Sequence, residues 1–323
     1  MDAARGPWVV ALVPAVALAA FPLIAPHFGL DFYVGFVRRA MIFAIAAASL
    51  NFILGFGGMA ALGQAGFVGV GAYALVAGFD GGLRSAWLLF PLAMVAAAAM
   101  SAAIGVVALR TRGVYLLMST LAFAQMLYYV AVSLRVYGGD DGYSLVERPT
   151  LGLGLDAADE ATFYWVVLVL LAAVMALLDV VVTSPFGRAL AGVRDNEVRM
   201  RAMGYPAFRV KLLAFIVSGA IAGLSGALLV THNDFISPSS MHWTQSATLI
   251  VMVVIGGVGL RWGGPLGAFV WIGLEELFKQ FTEYWHLPLG VLLVVIVFVA
   301  PRGLSSLDLR RPAPREMPAR ESA

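Results

Sequence analysis

The sequence predicts an all-α fold, a polytopic transmembrane helical bundle of about ten spans with broken glycine-rich segments. Three observations carry that expectation. The chain is 61% hydrophobic and only 12% charged, with a mean hydropathy of +0.89; a soluble domain carries about 25% charged residues. Apolar runs of roughly 20 residues, the length that crosses a bilayer, recur along it. The glycine spacing G-x-x-G-x-x-x-x-G-x-x-G occurs at Gly55, Gly58, Gly63 and Gly66 and again at Gly256, Gly259, Gly264 and Gly267.

In chain order the spans fall near Trp8–Ala25, Arg38–Leu54, Met59–Phe79, Ala86–Leu109, Val114–Leu134, Thr162–Val182, Phe208–Val230, Gln245–Leu260, Pro265–Phe281 and Leu287–Ala300. Glycine interrupts the third and eighth or their edges. The first resembles a signal peptide, with Arg5, an apolar run and the small residues Ala17 and Ala19. Asp2 spoils the positive leader of a signal, so an uncleaved span is expected. Paired glycine-interrupted segments in the two halves of a membrane protein point to a transport site. Unwound backbone survives in lipid only where protein or a water-filled cavity satisfies it.

Arginine placement sets the orientation. Arg188, Arg194, Arg199, Arg201, Arg209 and Lys211 crowd the 184–211 loop, Arg110 and Arg112 bound another turn, and Arg302, Arg310, Arg311, Arg315 and Arg320 follow the last span. Placing all three on the cytoplasmic side makes both termini cytoplasmic. Arg38 and Arg39 then fall on the outer side, where snorkelling to the interface would accommodate them. The charged, proline-rich residues 305–323 read as a disordered cytoplasmic tail behind one membrane domain over 1–304.

The 184–211 loop has its own pattern. Ser184 suits a helix cap, Pro185 its first turn, and Gly204 with Pro206 its end. Phe186, Leu190, Val193, Met200 and Met203 recur at helical spacing, with Arg188, Arg194, Asp195, Glu197, Arg199 and Arg201 at the polar positions. This predicts one amphipathic cytoplasmic helix of about five turns. By composition it lies on anionic headgroups or docks a soluble partner.

Several chemistries are excluded. The chain has no cysteine, and its four histidines show no paired ligand spacing, so no metal site is expected. A net charge of +2 gives no reason to expect nucleic acid. Neither Lys211 nor Lys279 sits in G-x-x-x-x-G-K-[ST], so no phosphate-cradling loop is present. Asp179, Glu275 and Glu276 show no basic partners of the kind a proton relay would need. Energy for uphill transport would have to come from a separate subunit.

A family resemblance rests on ordered motifs. Leu50–Gly58, Leu62–Phe67 and Gly69–Tyr73 resemble the signature of the branched-chain amino-acid ABC permeases of the LivM type. So do Arg112–Tyr115, Thr120–Met126, Ser184–Leu190, Arg194–Glu197, Ala202–Tyr205, Gly256–Gly259, Gly263–Ala268 and Pro301–Leu304. The match runs from about Arg38 to Leu304. It departs at Gln64, where the family more often shows histidine.

The resemblance implies a permease subunit of an inner-membrane importer for branched-chain amino acids, not itself an enzyme. The implied partners are a LivH-like permease subunit, two cytoplasmic ATPase subunits that bind the ATP, and a periplasmic substrate-binding protein. The 194–204 stretch matches the family's coupling loop, which favours docking over the membrane surface and makes Arg188, Arg194, Asp195, Glu197 and Gly204 coupling candidates. Arg194 and Glu197 are then expected to face an ATPase groove.

The pathway candidates are Asn51, Gly58, Gly63, Gln64, Gly66, Gln125, Gly259 and Gly264. Each has a plainer use: buried amides bridge membrane helices, and glycines permit close packing. Gly63→Ala and Gly264→Ala are expected to impair transport, with Gly78 as the ordinary helical control. Glycine-broken spans create helix N-termini suited to a carboxylate, between apolar walls suited to leucine, isoleucine or valine. Urea or another amide remains an alternative substrate, and an ATP-independent carrier or channel the rival class.

Overall fold

A computed structural model describes Leu18, Phe21, Pro22, residues 31–145, 147–150, 160–281, Tyr284, 286–299 and Gly303. The rest of the first expected span and the 305–323 tail lie outside the described residues. Eleven α-helices follow one another, with only a two-residue pairing of strands among the described residues. They are α1 (Asp31–Asn51, continued by a π-helical turn Phe52–Phe56), α2 (Gln64–Asp80), α3 (Ala86–Ala108), α4 (Val114–Ser133) and α5 (Glu160–Thr183). After these come α6 (Pro185–Asp195), α7 (Glu197–Ala202), α8 (Ala207–Asn233), α9 (Trp243–Gly256), α10 (Gly263–Phe281) and α11 (His286–Val299).

Five of these are long and apolar enough to cross a membrane: Tyr33–Phe56, Ala86–Ala108, Val114–Ser133, Glu160–Thr183 and Ala207–Asn233. Helix α2 lies between the first and second of them, and the shorter apolar helix α9 follows the fifth. The fold is an all-α polytopic bundle.

Its core is built on α1 and α8, which are largely buried, whereas α3, α4 and α5 keep most of their surface outward. Small residues allow this. A methyl group on Gly219 would collide with Ser101, and one on Gly223 with Ala97, both on α3. One turn on along the same glycine stripe, Gly226 lies against the Val68 carbonyl of α2. Close backbone approach is how membrane helices gain packing energy where lipid supplies no hydrophobic drive between them. The outward faces carry Trp87, Val95, Met118 and Val169, as a lipid-facing rim requires.

The two ends of the bundle differ. At one, the α4–α5 connection is stitched to the segment after α8: Tyr143 pairs with Ile236 and Ser144 with Phe235, antiparallel, and Arg148 is 2.7 Å from the Asp234 carboxylate. Arg38 lies at this end and does not snorkel. It is 2% exposed, donates from Nε to His232 Nδ1 at 3.0 Å and from Nη1 to the Glu160 carbonyl at 3.2 Å. It thereby ties α1 to α5 and α8. The other end carries α6 and α7.

Three sequence expectations need correction. The third span begins at Gln64 rather than Met59, because the glycine-rich residues before it form a break. The amphipathic segment is two helices, since Asn196 is extended (φ −158°, ψ 94°) and caps α7 with its own side chain. The intramembrane acids do meet bases: Asp179 pairs with Arg261 at 2.6 Å, and Glu275 with Lys279 at 2.6 Å and Arg39 at 3.5 Å. The fold brought these partners together from distant spans or a neighbouring helical turn.

Candidate functional site

The two glycine patterns do the same structural work. Gly55 lies in the closing turn after α1, and Gly256 is the last residue of α9. Gly58 and Gly259 occupy the breaks in the left-handed region, with φ +63° and +77°, a conformation that glycine adopts without steric cost. Gly63 stands at the N-cap of α2, and Gly264 is in the first turn of α10. Gly66 and Gly267 follow inside those helices.

The breaks also touch. A Cβ on Gly55 would fall on the backbone N and Cα of Gly259. Asn51 locks the junction: its Oδ1 accepts from Gly259 N at 2.9 Å, and its Nδ2 donates to the Leu260 carbonyl at 2.7 Å. Asn51 is 2% exposed, so both halves of its amide are satisfied by a backbone that a helix no longer serves. Gly264 packs on α1, where a methyl would sit 2.8 Å from the Ala47 carbonyl. Gly63 is less confined, with the Thr120 carbonyl 3.2 Å from such a methyl.

Helix α2 starts inside the bundle, whereas α9 starts exposed at Trp243. Gln64, the first residue of α2, is fully buried. Its Nε2 donates to Ser49 Oγ at 2.7 Å and to Ser218 Oγ at 3.1 Å, joining α2 to α1 and α8. Its Oε1 has no partner among the described residues. Ala65 N, one of the free donors of the α2 terminus, is taken by Ser246 Oγ of α9 at 2.9 Å. Leu62 N is taken by Thr120 Oγ1 of α4 at 3.0 Å. Gly66 packs on Leu127 and Ala124 of α4. Gln125 is half-buried on the same helix and bonds none of these residues.

The α6–α7 pair sits against the junction. Ser184 caps α6, accepting from Gly187 N at 3.3 Å, and Asn196 Oδ1 accepts from Arg199 N at 2.9 Å. Arg194 closes α6 and donates from Nη1 to the Gly55 carbonyl at 2.8 Å. Its Cγ is 2.5 Å from where a Cβ on Gly58 would lie. It also pairs with Asp195 at 3.0 Å. One arginine therefore reaches from the amphipathic segment to the first glycine break, which touches the second.

Glu197 is turned inward, contrary to the expectation that it faces outward. Its carboxylate meets Arg201 at 2.5 Å, Lys211 at 3.1 Å and Arg112 at 3.3 Å. Burial pushes this carboxyl up, but the Lys211 hydrogen bond and the charges of Lys211, Arg112 and Arg201 outweigh it and hold the group below its ordinary range. Glu197 staples α7 to α8 and to the α3–α4 turn. The outward face of the pair carries Arg188, Asp195, Val198, Arg199, Met203 and Tyr205. Gly204 follows α7 and leads the chain toward α8.

Sequence reasoning missed Ser49, Thr120, Ser218 and Ser246, the hydroxyls that serve the broken backbone. Their signal was a small polar residue at an otherwise apolar position, which is common enough in membrane helices to be passed over.

Residues 32–300 match the family model described as branched-chain amino acid transport system / permease component. The chain is 33% identical over 297 residues to the high-affinity branched-chain amino acid transport system permease protein LivM of Escherichia coli (strain K12), covering 84% of this chain and 69% of that one. It is 31% identical over 322 residues to LivM of Salmonella typhimurium, covering 92% and 74%. The permease protein LivH of E. coli is similar over a shorter stretch, 27% over 143 residues, or 43% of this chain and 45% of that one. No solved structure matches. The motif order, the paired glycine breaks and these relatives agree, and the chain belongs to the branched-chain amino-acid transport permease family.

Proposed function

We propose that this chain is a permease subunit of an ABC importer that carries branched-chain amino acids across the bacterial inner membrane. ATP is hydrolysed by separate subunits. A LivH-like permease completes the membrane part, two cytoplasmic ATPases sit on the α6–α7 end, and a periplasmic binding protein delivers substrate to the other. Both termini are then cytoplasmic, and Arg112, Arg188, Arg194, Arg199 and Arg201 gather on the cytoplasmic side.

The observation that carries the reading is the Arg194–Gly55 hydrogen bond. An ATPase seated on the mixed face of Arg188, Val198, Arg199, Met203 and Tyr205 moves α6. Arg194 passes that movement to the Gly55 carbonyl, and the backbone contact passes it to Gly259. The junction lies where α2 begins and α9 ends, so it changes how α2 and α9 stand in the bundle. A carrier without ATPases has no use for such a link.

The test is reconstitution. The chain with its LivH-like partner, ATPases and binding protein should accumulate leucine in liposomes only with ATP inside the compartment facing the ATPases. The purified chain alone should neither hydrolyse ATP nor accumulate solute. Uphill uptake by this chain alone on an ion gradient would overturn the reading.

A further inference from the structure

Arg38 and Arg39 are adjacent, but their surroundings differ. Arg38 is consumed by His232, Glu160 and the Phe163 ring. Arg39 is not. Among the described residues its one ion pair is with Glu275 at 3.5 Å, and Lys279 already holds the same Glu275 oxygen at 2.6 Å. Its guanidinium leans on the Phe43 ring, 5.7 Å from the centroid, and its side chain is 37% exposed. Most of its five donors are therefore open to solvent or to a ligand.

What lies in front of it is a cavity of about 330 Å³ between α1, α2, α8, α9 and the 235–240 segment. That is the lower end of the ~300–1,000 Å³ range of small-molecule sites. The cavity is two-sided. Ile42, Ala46, Val68, Leu229 and Leu249 supply apolar walls. The polar side holds Arg39, the hydroxyls of Ser237 and Ser239, and the amides of Asn233 and Gln245. Asn233 and Gln245 are exposed, which leaves their amides accessible to a ligand.

We infer that this cavity is a binding site for the transported amino acid within the subunit, with Arg39 as the anchor for its carboxylate. The planar fork of the guanidinium matches a carboxylate bidentately. The amide oxygens of Asn233 and Gln245 suit the ammonium group, and the aliphatic side chain lies against Ile42, Val68 and Leu249. The inference rests on the proposed import of branched-chain amino acids and adds where in this chain the solute is read.

The chain has no cysteine, so a single introduced thiol reports on the cavity without background from this subunit. The full complex carrying Ser240→Cys, or Phe235→Cys if the first assembles poorly, is reconstituted and checked for leucine uptake. It is then labelled with a small maleimide, with and without leucine or leucinol, which lacks the carboxylate. Leucine should slow labelling and leucinol should not. Arg39→Gln should raise the leucine concentration for half-protection by roughly 10–100-fold, the weight of a charge-assisted hydrogen bond, and Arg39→Lys by less.

Equal protection by leucinol would overturn the carboxylate anchor. Absence of protection in a complex that does import leucine would overturn the site while leaving the proposed function standing. Protection that follows added phospholipid rather than leucine would make the cavity a lipid seat and overturn the inference. A complex that imports no leucine even without these substitutions would overturn the function itself, and is seen before any labelling.

Discussion

Asn51 holds Gly259 by a hydrogen bond that spans the chain, from the end of α1 to the break between α9 and α10, at 2.9 Å. The same amide also holds the Leu260 carbonyl. Asn51→Leu leaves both backbone groups unserved and should destabilise the detergent-solubilised protein by about 1–3 kcal/mol. Asn51→Asp keeps only the acceptor and should lie between. Thermal unfolding followed by tryptophan fluorescence measures both. A melting curve unchanged in Asn51→Leu would show that the junction holds without the clamp.

Gly55→Ala and Gly264→Ala should each impair transport strongly, because the added methyl meets backbone that cannot step aside. Gly63→Ala should be milder, since it meets the Thr120 carbonyl at 3.2 Å and its φ of −97° suits alanine. Gly78 is a poor control: its methyl would meet Leu92 at 2.7 Å and Leu89 at 2.8 Å. Gly273 of α10 has open space around it, and Gly273→Ala should be neutral or stabilising by up to about 1 kcal/mol. Uptake is normalised to assembled complex.

Arg194→Ala should separate docking from transport. The outward residues of α6 and α7 remain, so ATPase subunits should still copurify with the chain. The link to the Gly55 carbonyl is gone, so leucine uptake per ATP hydrolysed should fall by tenfold or more, for loss of a charged hydrogen bond worth about 1.5–3 kcal/mol. Equal loss of copurification and uptake would mean that Arg194 acts at the docking face instead.

Glu197→Gln should act on stability more than on docking. It leaves Lys211, Arg112 and Arg201 facing one another without their anion, at a cost of roughly 1–3 kcal/mol. The effect depends on pH with a definite sign. The folded-state pKa lies below the ordinary value of 4.5, so the stabilisation is complete above that value and is lost as pH falls through the lowered one. The gap in melting temperature between wild type and variant should be present at neutral pH and close in acid. A gap that persists in acid would assign the effect to packing.

Much of the architecture was legible because it is local. The Ser184 cap, the turn after α7 and the near positions of the described spans follow from residue types within a few places of one another. The glycine repeat could be read as a pattern. Its meaning could not, because Gly55 and Gly259 meet only after the helices between them have packed. Glu197 looked outward for the same reason, since Arg112 and Lys211 reach it through the fold. The split at Asn196 did have a local sign, an asparagine followed by an acid, as at any helix start. The apolar spacing ran through it and hid it. Gln64 lacks a full set of partners, and the two hydroxyls that meet it, Ser49 and Ser218, come from α1 and α8, which no sequence spacing links.

The small strand pairing between 143–144 and 235–236 has a mechanical meaning. Leu145 N also bonds the Asp234 carbonyl at 2.9 Å, and Arg148 grips the Asp234 side chain. Residues 143–145 and Arg148 are thus bonded directly to 234–236, at the start of the segment that walls the Arg39 cavity. A displacement of 143–145 would be handed straight to that wall, so on the proposed import reading a binding protein seated there would reach the cavity through backbone hydrogen bonds and one ion pair.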